Sequence, residues 1–131
     1  MNRAILFRGK RVDNGELIVS DSIMQIKGQN PRLWVEYEGW VEVIRETVGQ
    51  YTGLKDKNYN RIFEGDIVEF TDKYTGRKGR AKIVFEAFKW KYSGCYYGGN
   101  PIVWLCINDT SIEFEVIGNI HDNPELLEAE K

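Results

Sequence analysis

The chain has 131 residues, of which 42% are hydrophobic and 13% aromatic, and its formal net charge at pH 7 is -2. This length and composition suit one folded domain over residues 1–131 that buries its own core, and they exclude a disordered chain. The near-neutral charge excludes a chain that is a polycation for nucleic acid along its whole length.

Short runs of alternating apolar and polar residues, broken by Gly, Asn and Asp, predict a chain made mostly of β-strands. Asn14-Gly15 suits the turn of a hairpin after the first strand. An irregular strand is expected at residues 46–54 because glycines interrupt it. The other strands predicted in this half cover residues 6–11, 16–20, 23–27, 33–37 and 40–44.

The second half continues the strand pattern. The apolar positions change parity between the two middle strands, which predicts a bulge or a tight turn near residues 86–88. Residues 93–101 are predicted to be a glycine-rich loop, and Asn123-Pro124-Glu125 has the order of a cap and first turn of a short helix at 124–130. The predicted strands cover residues 66–71, 80–87, 88–92, 102–107 and 113–120.

One stretch has the spacing of a calcium loop. Asp56, Asn58 and Asn60 stand at alternate positions, as the first oxygen ligands of an EF-hand do. The sixth position of such a loop is glycine and the twelfth is glutamate, but here they are Arg61 and Ile67. The flanking residues also read as strands rather than helices, which argues against calcium.

The same stretch is better interpreted as a structural corner without metal. Asn and Asp tolerate left-handed backbone angles and bond their own main chain, so Asp56, Asn58 and Asn60 can build a wide turn. Gly65 and Asp66 are expected to form a second, tighter turn, with the carboxylate of Asp66 capping nearby amides.

Three stretches, taken in order, carry a family resemblance that spans nearly the whole chain. TVGQYTGLKDKN at 47–58 with IFEGDIV at 62–68 resembles the central motif of the YopX family. FRGKR at 7–11 with NGE at 14–16 resembles the amino-terminal motif of that family. VIGNI at 116–120 with NPELL at 123–127 resembles its carboxy-terminal motif. The resemblance implies a small, mostly β protein encoded by phages or prophages of mainly Gram-positive bacteria. It implies no catalytic residues.

Two departures from the family pattern are visible. Tyr59-Asn60 replaces the Gly-Lys that is usual after the asparagine of the central motif, which leaves the shape of that turn open. Residues 17–21 lack the Trp and Gly-Asp often seen there.

Charge is distributed unevenly along the chain. Residues 73–91 hold seven basic residues and one acidic residue, whereas 109–131 hold seven acidic residues and one basic residue. A basic β surface with aromatic side chains can follow phosphates and stack bases, although a solvated strand face with its aromatics in the core gives the same pattern. The candidate binding residues are Arg80, Lys82, Lys89, Lys91, Trp90, Tyr96 and Tyr97.

A protein partner or a homo-oligomer is the other binding hypothesis. The basic middle and the acidic end could meet across a subunit interface or within one molecule. The pair Tyr96-Tyr97 in a glycine-rich context has the composition of an interface.

Catalytic chemistry has little support. Cys95 and His121 could form a nucleophile and its base, but no third group is indicated. Glu113 and Glu115 have the spacing of paired carboxylates, which strand alternation also produces on a solvated face. Cys106 reads as a core residue. We therefore expect no enzyme, no metal and no cofactor.

The chain is also expected to be cytoplasmic. It shows no apolar run long enough for a signal peptide or a membrane helix. The spacing of Cys95 and Cys106 is not that of a zinc site, and free buried thiols suit a reducing compartment.

The sequence thus predicts a mainly β fold, either a bent antiparallel sheet or a small SH3-like barrel, with an N-terminal β portion at 1–46, a barrel-like core at 47–131 and a short C-terminal helix. It predicts an accessory protein of a phage or prophage that acts without catalysis in the host cytoplasm. The expected action is protein binding or self-association, with nucleic-acid binding as the alternative and a cysteine-based enzyme as a remote one.

Overall fold

The computed structural model describes residues 4–86, 89–97, 101–106 and 111–127, giving only the backbone at 86 and 101–106. Within these ranges the chain is mainly β, with three antiparallel sheets and two short 3₁₀ turns. The predicted fold class is therefore confirmed. The chain divides into two compact units, Met1–Gly53 and Leu54–Lys131. The prediction of a single domain, with its subdivision at 46/47, stays a prediction.

The first unit is built from short antiparallel strands. In one sheet β1 lies between β2 and β6, and a second sheet has the order β3-β4-β5. The two sequence-predicted strands at 33–37 and 40–44 form the hairpin of β4 and β5. The strands are β1 (Phe7–Lys10), β2 (Leu17–Ser20), β3 (Ile23–Met24), β4 (Arg32–Val35), β5 (Gly39–Glu42) and β6 (Gly49–Lys55).

Close packing joins the parts of this first unit. Leu33 and Val43 are fully buried. A Cβ added to Gly9 would lie 3.1 Å from the Cβ of Val43, so glycine permits the close approach of β1. Thr47, in the 3₁₀ turn Arg45–Thr47, accepts a 2.9 Å bond from the amide of Lys10. The irregularity predicted at 46–54 is a 3₁₀ turn followed by β6, in which Gly53 has a φ of 89°.

The second unit holds a five-stranded antiparallel sheet in the order β11-β10-β9-β8-β12, which curls into a half-barrel. The SH3-like assignment stays a prediction. In the chain, β7 comes directly before this sheet, and it is hydrogen-bonded to β6. These strands are β7 (Arg61–Phe63), β8 (Asp66–Asp72), β9 (Lys78–Glu86), β10 (Lys89–Tyr96), β11 (Pro101–Cys106) and β12 (Ile112–Asn119).

Alternate residues of the five-stranded sheet form its core. Phe70, Tyr92 and Phe114 come from β8, β10 and β12, and the ring centroid of Tyr92 lies 5.3 Å from Phe70 and 5.1 Å from Phe114. Ala81 and Ile83 from β9 are buried in the same cluster. Offset and edge contacts between rings stabilise such a cluster beyond the area that they bury.

The hairpin of β9 and β10 explains the change of parity in the sequence. Glu86 pairs with Lys89 and Phe85 with Trp90, in one register that continues to Tyr96. The bulge or tight turn predicted near residues 86–88 falls on residues 87 and 88, which lie outside the described residues.

The prediction of a loop at 93–101 is wrong for its first half, because residues 93–96 belong to β10. A Cβ on Gly94 would collide with the carbonyl oxygen of Arg80, and a Cβ on Gly79 with that of Cys95. Glycine therefore serves close contact between strands here rather than a loop. Residues 98–100 lie outside the described residues.

The last described element is a 3₁₀ turn, at the place where a short helix is predicted. The turn covers Pro124–Leu127, and residues 128–130 of the predicted helix lie outside the described residues. The side-chain oxygen of Asn119 accepts the amides of His121 and Asp122 at 3.0 and 2.9 Å, which shapes the corner before the turn. No helical segment in the described ranges has both the length and the hydropathy that a membrane crossing requires.

Candidate functional site

Four of the predicted binding residues lie on one face of the hairpin of β9 and β10. Arg80 and Lys82 share a face because they are two residues apart, and so do Lys89 and Lys91. The continuous register places both pairs on the same side, opposite the buried Ala81. We call Arg80, Lys82, Lys89 and Lys91 the basic face.

Arg80 of the basic face is held by bonds within its own unit. Its Nε donates to the hydroxyl of Tyr97 at 3.0 Å, and its Nη1 donates to the carbonyl oxygen of Leu126 at 3.2 Å. The hydroxyl of Tyr97 donates in turn to Glu69 Oε2 at 2.8 Å. Burial raises the pKa of Tyr97, and the bond to Glu69 raises it further against the opposing effect of Arg80. Arg80 and Tyr97 thus anchor the C-terminal turn.

The predicted stacking residues Trp90 and Tyr96 lie on the opposite side of the hairpin from the lysines. Trp90 packs against the core, with its ring centroid 4.8 Å from that of Phe85. Tyr96 makes an edge contact with Phe70 at 5.3 Å, and the guanidinium of Arg77 lies 4.0 Å from its ring centroid. The structure therefore gathers the basic residues but does not interleave them with these rings.

Asp56 organises the turn that resembled a calcium loop. Its side chain is buried, since the residue is only 6% exposed. Its Oδ1 accepts the amides of Asn58 and Asn60, and its Oδ2 accepts the amide of Val116 on β12, each at 2.9 Å. Burial raises the pKa of Asp56, but these bonds together lower it further, so the net pKa lies below its ordinary value. The carboxylate is occupied by backbone amides.

Three more residues, Tyr59, Gly65 and Asp66, shape this turn and the turn that follows it. Tyr59 has a φ of 66°, the left-handed conformation, and the adjoining turn has Gly65 at 89°. Asp66 Oδ2 accepts the amide of Phe63 at 2.7 Å, and the amide of Gly65 donates to the carbonyl of Ile83 at 2.9 Å. Gly65 and Asp66 thus connect β7, β8 and β9.

A second surface, which the sequence analysis did not single out, lies on the hairpin of β4 and β5. Trp34 and Trp40 are cross-strand partners, 46% and 40% exposed, with ring centroids 5.4 Å apart at 75°. Tyr37 in the connecting turn is 98% exposed and has a φ of 70°. We call Trp34, Tyr37 and Trp40 the aromatic hairpin. The sequence carried a signal for the exposure of Trp34. Side chains alternate between the two faces of a strand, so the burial of Leu33 places Trp34 on the opposite face.

Acidic residues surround the aromatic hairpin. A cavity of about 360 Å³ lies between Trp40 and the turn at residues 11–13. Arg11 pairs there with Asp13 and Glu38, each at 2.9 Å. The hydrogen bond that Arg11 donates to Asp13, followed by the one it donates to Glu38, raises the pKa of the Arg11 guanidinium, and the bond from Arg11 lowers the pKa of Asp13. Glu42 also lines the cavity, and its Oε2 accepts a 2.9 Å bond from the side-chain amide of Asn30.

Comparison with known proteins identifies the family. The chain is similar to the crystal structure of protein EF1440 from Enterococcus faecalis, with 24% sequence identity and a TM-score of 0.49, over 96% of this chain and 99% of that chain. No curated protein matches the chain. The model of the family described as YopX protein matches residues 6–128. The resemblance seen in the sequence is therefore confirmed, and the chain belongs to the YopX family.

Proposed function

We propose that the chain is an accessory protein of a phage or prophage that acts in the host cytoplasm, without catalysis, by binding another protein through the aromatic hairpin. The observation that carries the proposal is the exposed pair of Trp34 and Trp40. Trp and Tyr are enriched at the energetic centres of protein interfaces, where they bury a large area at a low cost in conformational entropy.

The backbone of Tyr37 supports the same proposal. A left-handed conformation costs a residue other than glycine about 1 kcal/mol, and Asn or Gly would relieve that cost. The ring of Tyr37 is 98% exposed, so it repays nothing through burial. Strained residues of this kind cluster at functional sites.

The acids around the aromatic hairpin suit binding rather than proton transfer. A general base near neutral pH needs a raised carboxyl pKa. Arg11 instead lowers the pKa of Asp13, so that carboxyl stays ionised.

Site-specific photocrosslinking tests the proposal. We would place a benzophenone amino acid at position 37 and irradiate host cells that produce the protein. The control places it at Tyr74, which is 88% exposed in the second unit. A discrete protein adduct from position 37, absent from position 74, is expected. Equal adducts from both positions, or none from position 37, would contradict the proposal.

Nucleic-acid binding is the second candidate, and the shared orientation of the basic face favours it. Fluorescence anisotropy with labelled DNA and RNA between about 50 and 200 mM salt measures it. The informative variant reverses Lys82 and Lys89 to Glu, because a change at Arg80 would also break its bonds to Tyr97 and Leu126. Binding that weakens in this variant supports the candidate.

The control for that experiment replaces two other exposed lysines, Lys27 and Lys55, with Glu, which gives the same change in net charge. Equal weakening in both variants would indicate a general charge effect rather than a site. No binding at the lowest salt would remove the candidate.

A further inference from the structure

We propose that the aromatic hairpin binds an exposed segment of a partner protein through an arginine or lysine that stacks on Trp40. The inference rests on the proposed function and names the chemistry of the partner. Two features of the first unit support it: an excess of acidic residues, and an exposed tryptophan beside a cavity.

The outer edge of β5 is paired beside Trp40. The carbonyl of Glu42 accepts the amide of Val12 at 3.1 Å, and Arg11 and Val43 form an antiparallel bridge. The segment at residues 11–13 therefore borders Trp40 and forms the opposite wall of the cavity.

The charges around Trp40 favour a cation. The residues concerned carry a net charge of -2, with four acids and two bases: Asp13, Glu36, Glu38, Glu42, Arg11 and Arg32. All four acids are exposed. Carboxylates at this density repel phosphates and attract ammonium or guanidinium groups. The surface therefore suits a protein segment rather than a nucleic acid.

Trp40 gives the cation a specific position. Tryptophan is the aromatic side chain that binds cations best through its ring face. Trp40 borders the cavity of about 360 Å³, together with Glu38 and Glu42. Glu42 uses its Oε2 for Asn30, and Glu38 is held in place by Arg11. An incoming arginine can therefore stack on Trp40 and pair with Glu42, because Glu38 and Asp13 already share Arg11.

Nuclear magnetic resonance of the full chain tests this assignment. The probe is a blocked peptide of sequence Thr-Val-Arg-Val-Thr, and its neutral counterpart has citrulline in place of arginine. We expect the arginine peptide to shift the indole N–H signals of Trp34 and Trp40 in a saturable way and to leave that of the partly buried Trp90 in place. The citrulline peptide should bind at least about fivefold more weakly, as expected for the loss of one cation–π contact and its charge pairing.

A pair of variants locates the effect. Glu42→Gln should reduce the preference for arginine, because it removes one carboxylate of the cavity. The control is Glu46→Gln, which removes an exposed acid from the 3₁₀ turn Arg45–Thr47 of the same unit. An unchanged dispersion of the amide spectrum shows that both variants are folded.

The failures of the two proposals are distinguishable. Equal affinity for both peptides, or no shift of the Trp34 and Trp40 signals, overturns the basic-segment inference. If the crosslink from position 37 is still found in that case, the aromatic hairpin binds a protein of other chemistry. If the crosslink is also absent, the proposed function fails as well.

Discussion

A single carboxylate accounts for the stretch that resembled a calcium loop. The amides of Asn58, Asn60 and Val116 occupy the two oxygens of Asp56, so alternate Asp and Asn residues here mark backbone bonding. The bond to Val116 also satisfies an outward amide of β12, an edge strand of the five-stranded sheet. The turn thus closes a sheet edge.

Asp56→Asn is expected to destabilise the protein by about 1–3 kcal/mol at pH 7, because buried amides lose charge-assisted acceptors. The folded state lowers the pKa of Asp56, so its contribution is present above the unfolded value of about 4 and is lost as the pH falls through the folded value. Urea unfolding at pH 7 and pH 3 measures this. The difference between wild type and variant should shrink at pH 3.

Asp21→Asn, at an exposed position, is the control for that comparison. A difference for Asp56→Asn that is equally large at both pH values would contradict the assigned role of the charge.

Tyr59 departs from the residue usual in its family and has a left-handed backbone conformation. It stands where glycine is usual and takes the left-handed conformation that glycine adopts readily, with a φ of 66°. The ring is 83% exposed, so burial does not offset the strain.

Tyr59→Asn is therefore expected to stabilise the protein by about 1 kcal/mol, because Asn tolerates this conformation better. Thermal unfolding measures the change. Tyr74→Asn is a matched control, since Tyr74 is equally exposed without a positive φ. A lower melting temperature for Tyr59→Asn would show that its ring contributes to the fold.

At the scale of elements, glycines in facing strands set the shape of the hairpin of β9 and β10. Gly79 pairs with Tyr96, and Gly94 with Ala81. Each approaches the backbone of the neighbouring strand too closely for a side chain. Glycine at such positions is typical of curled sheets.

Gly94→Ala is expected to destabilise the protein by about 1–3 kcal/mol, since its Cβ would collide with the carbonyl oxygen of Arg80. Ser93→Ala, at the adjacent position of the same strand, should change stability much less. Denaturant unfolding of both variants provides the comparison. Equal effects would mean that β10 can shift to admit the methyl group.

At the scale of the whole molecule, the boundary between the two units falls within a single strand, because β6 runs from Gly49 to Lys55 and the boundary follows Gly53. A unit of about 50 residues buries a smaller share of its surface than a larger one and is marginally stable alone. These facts favour one cooperative folding unit.

We therefore expect scanning calorimetry to show one transition, with equal calorimetric and van't Hoff enthalpies. Two separate transitions, or an enthalpy ratio well above one, would contradict the single-domain prediction. The variant Gly94→Ala should then lower the melting of the whole chain, not of the second unit alone.

Local pattern was sufficient for the fold class, the family and most strands. The alternation at 66–71 and 113–120 predicted β8 and β12 closely, because strand periodicity depends only on neighbouring residues. The three stretches at 7–16, 47–68 and 116–127 were together enough to recognise the YopX family.

The tertiary structure alone decided which residues are available for binding. The sequence pattern placed Arg80 on a solvated surface. In the structure Arg80 instead donates to the hydroxyl of Tyr97, which donates to Glu69, and to the carbonyl of Leu126. Trp90 is partly buried against the core, whereas Trp34 and Trp40 are exposed. Strand alternation divides side chains between two faces, but only long-range packing determines which face is covered.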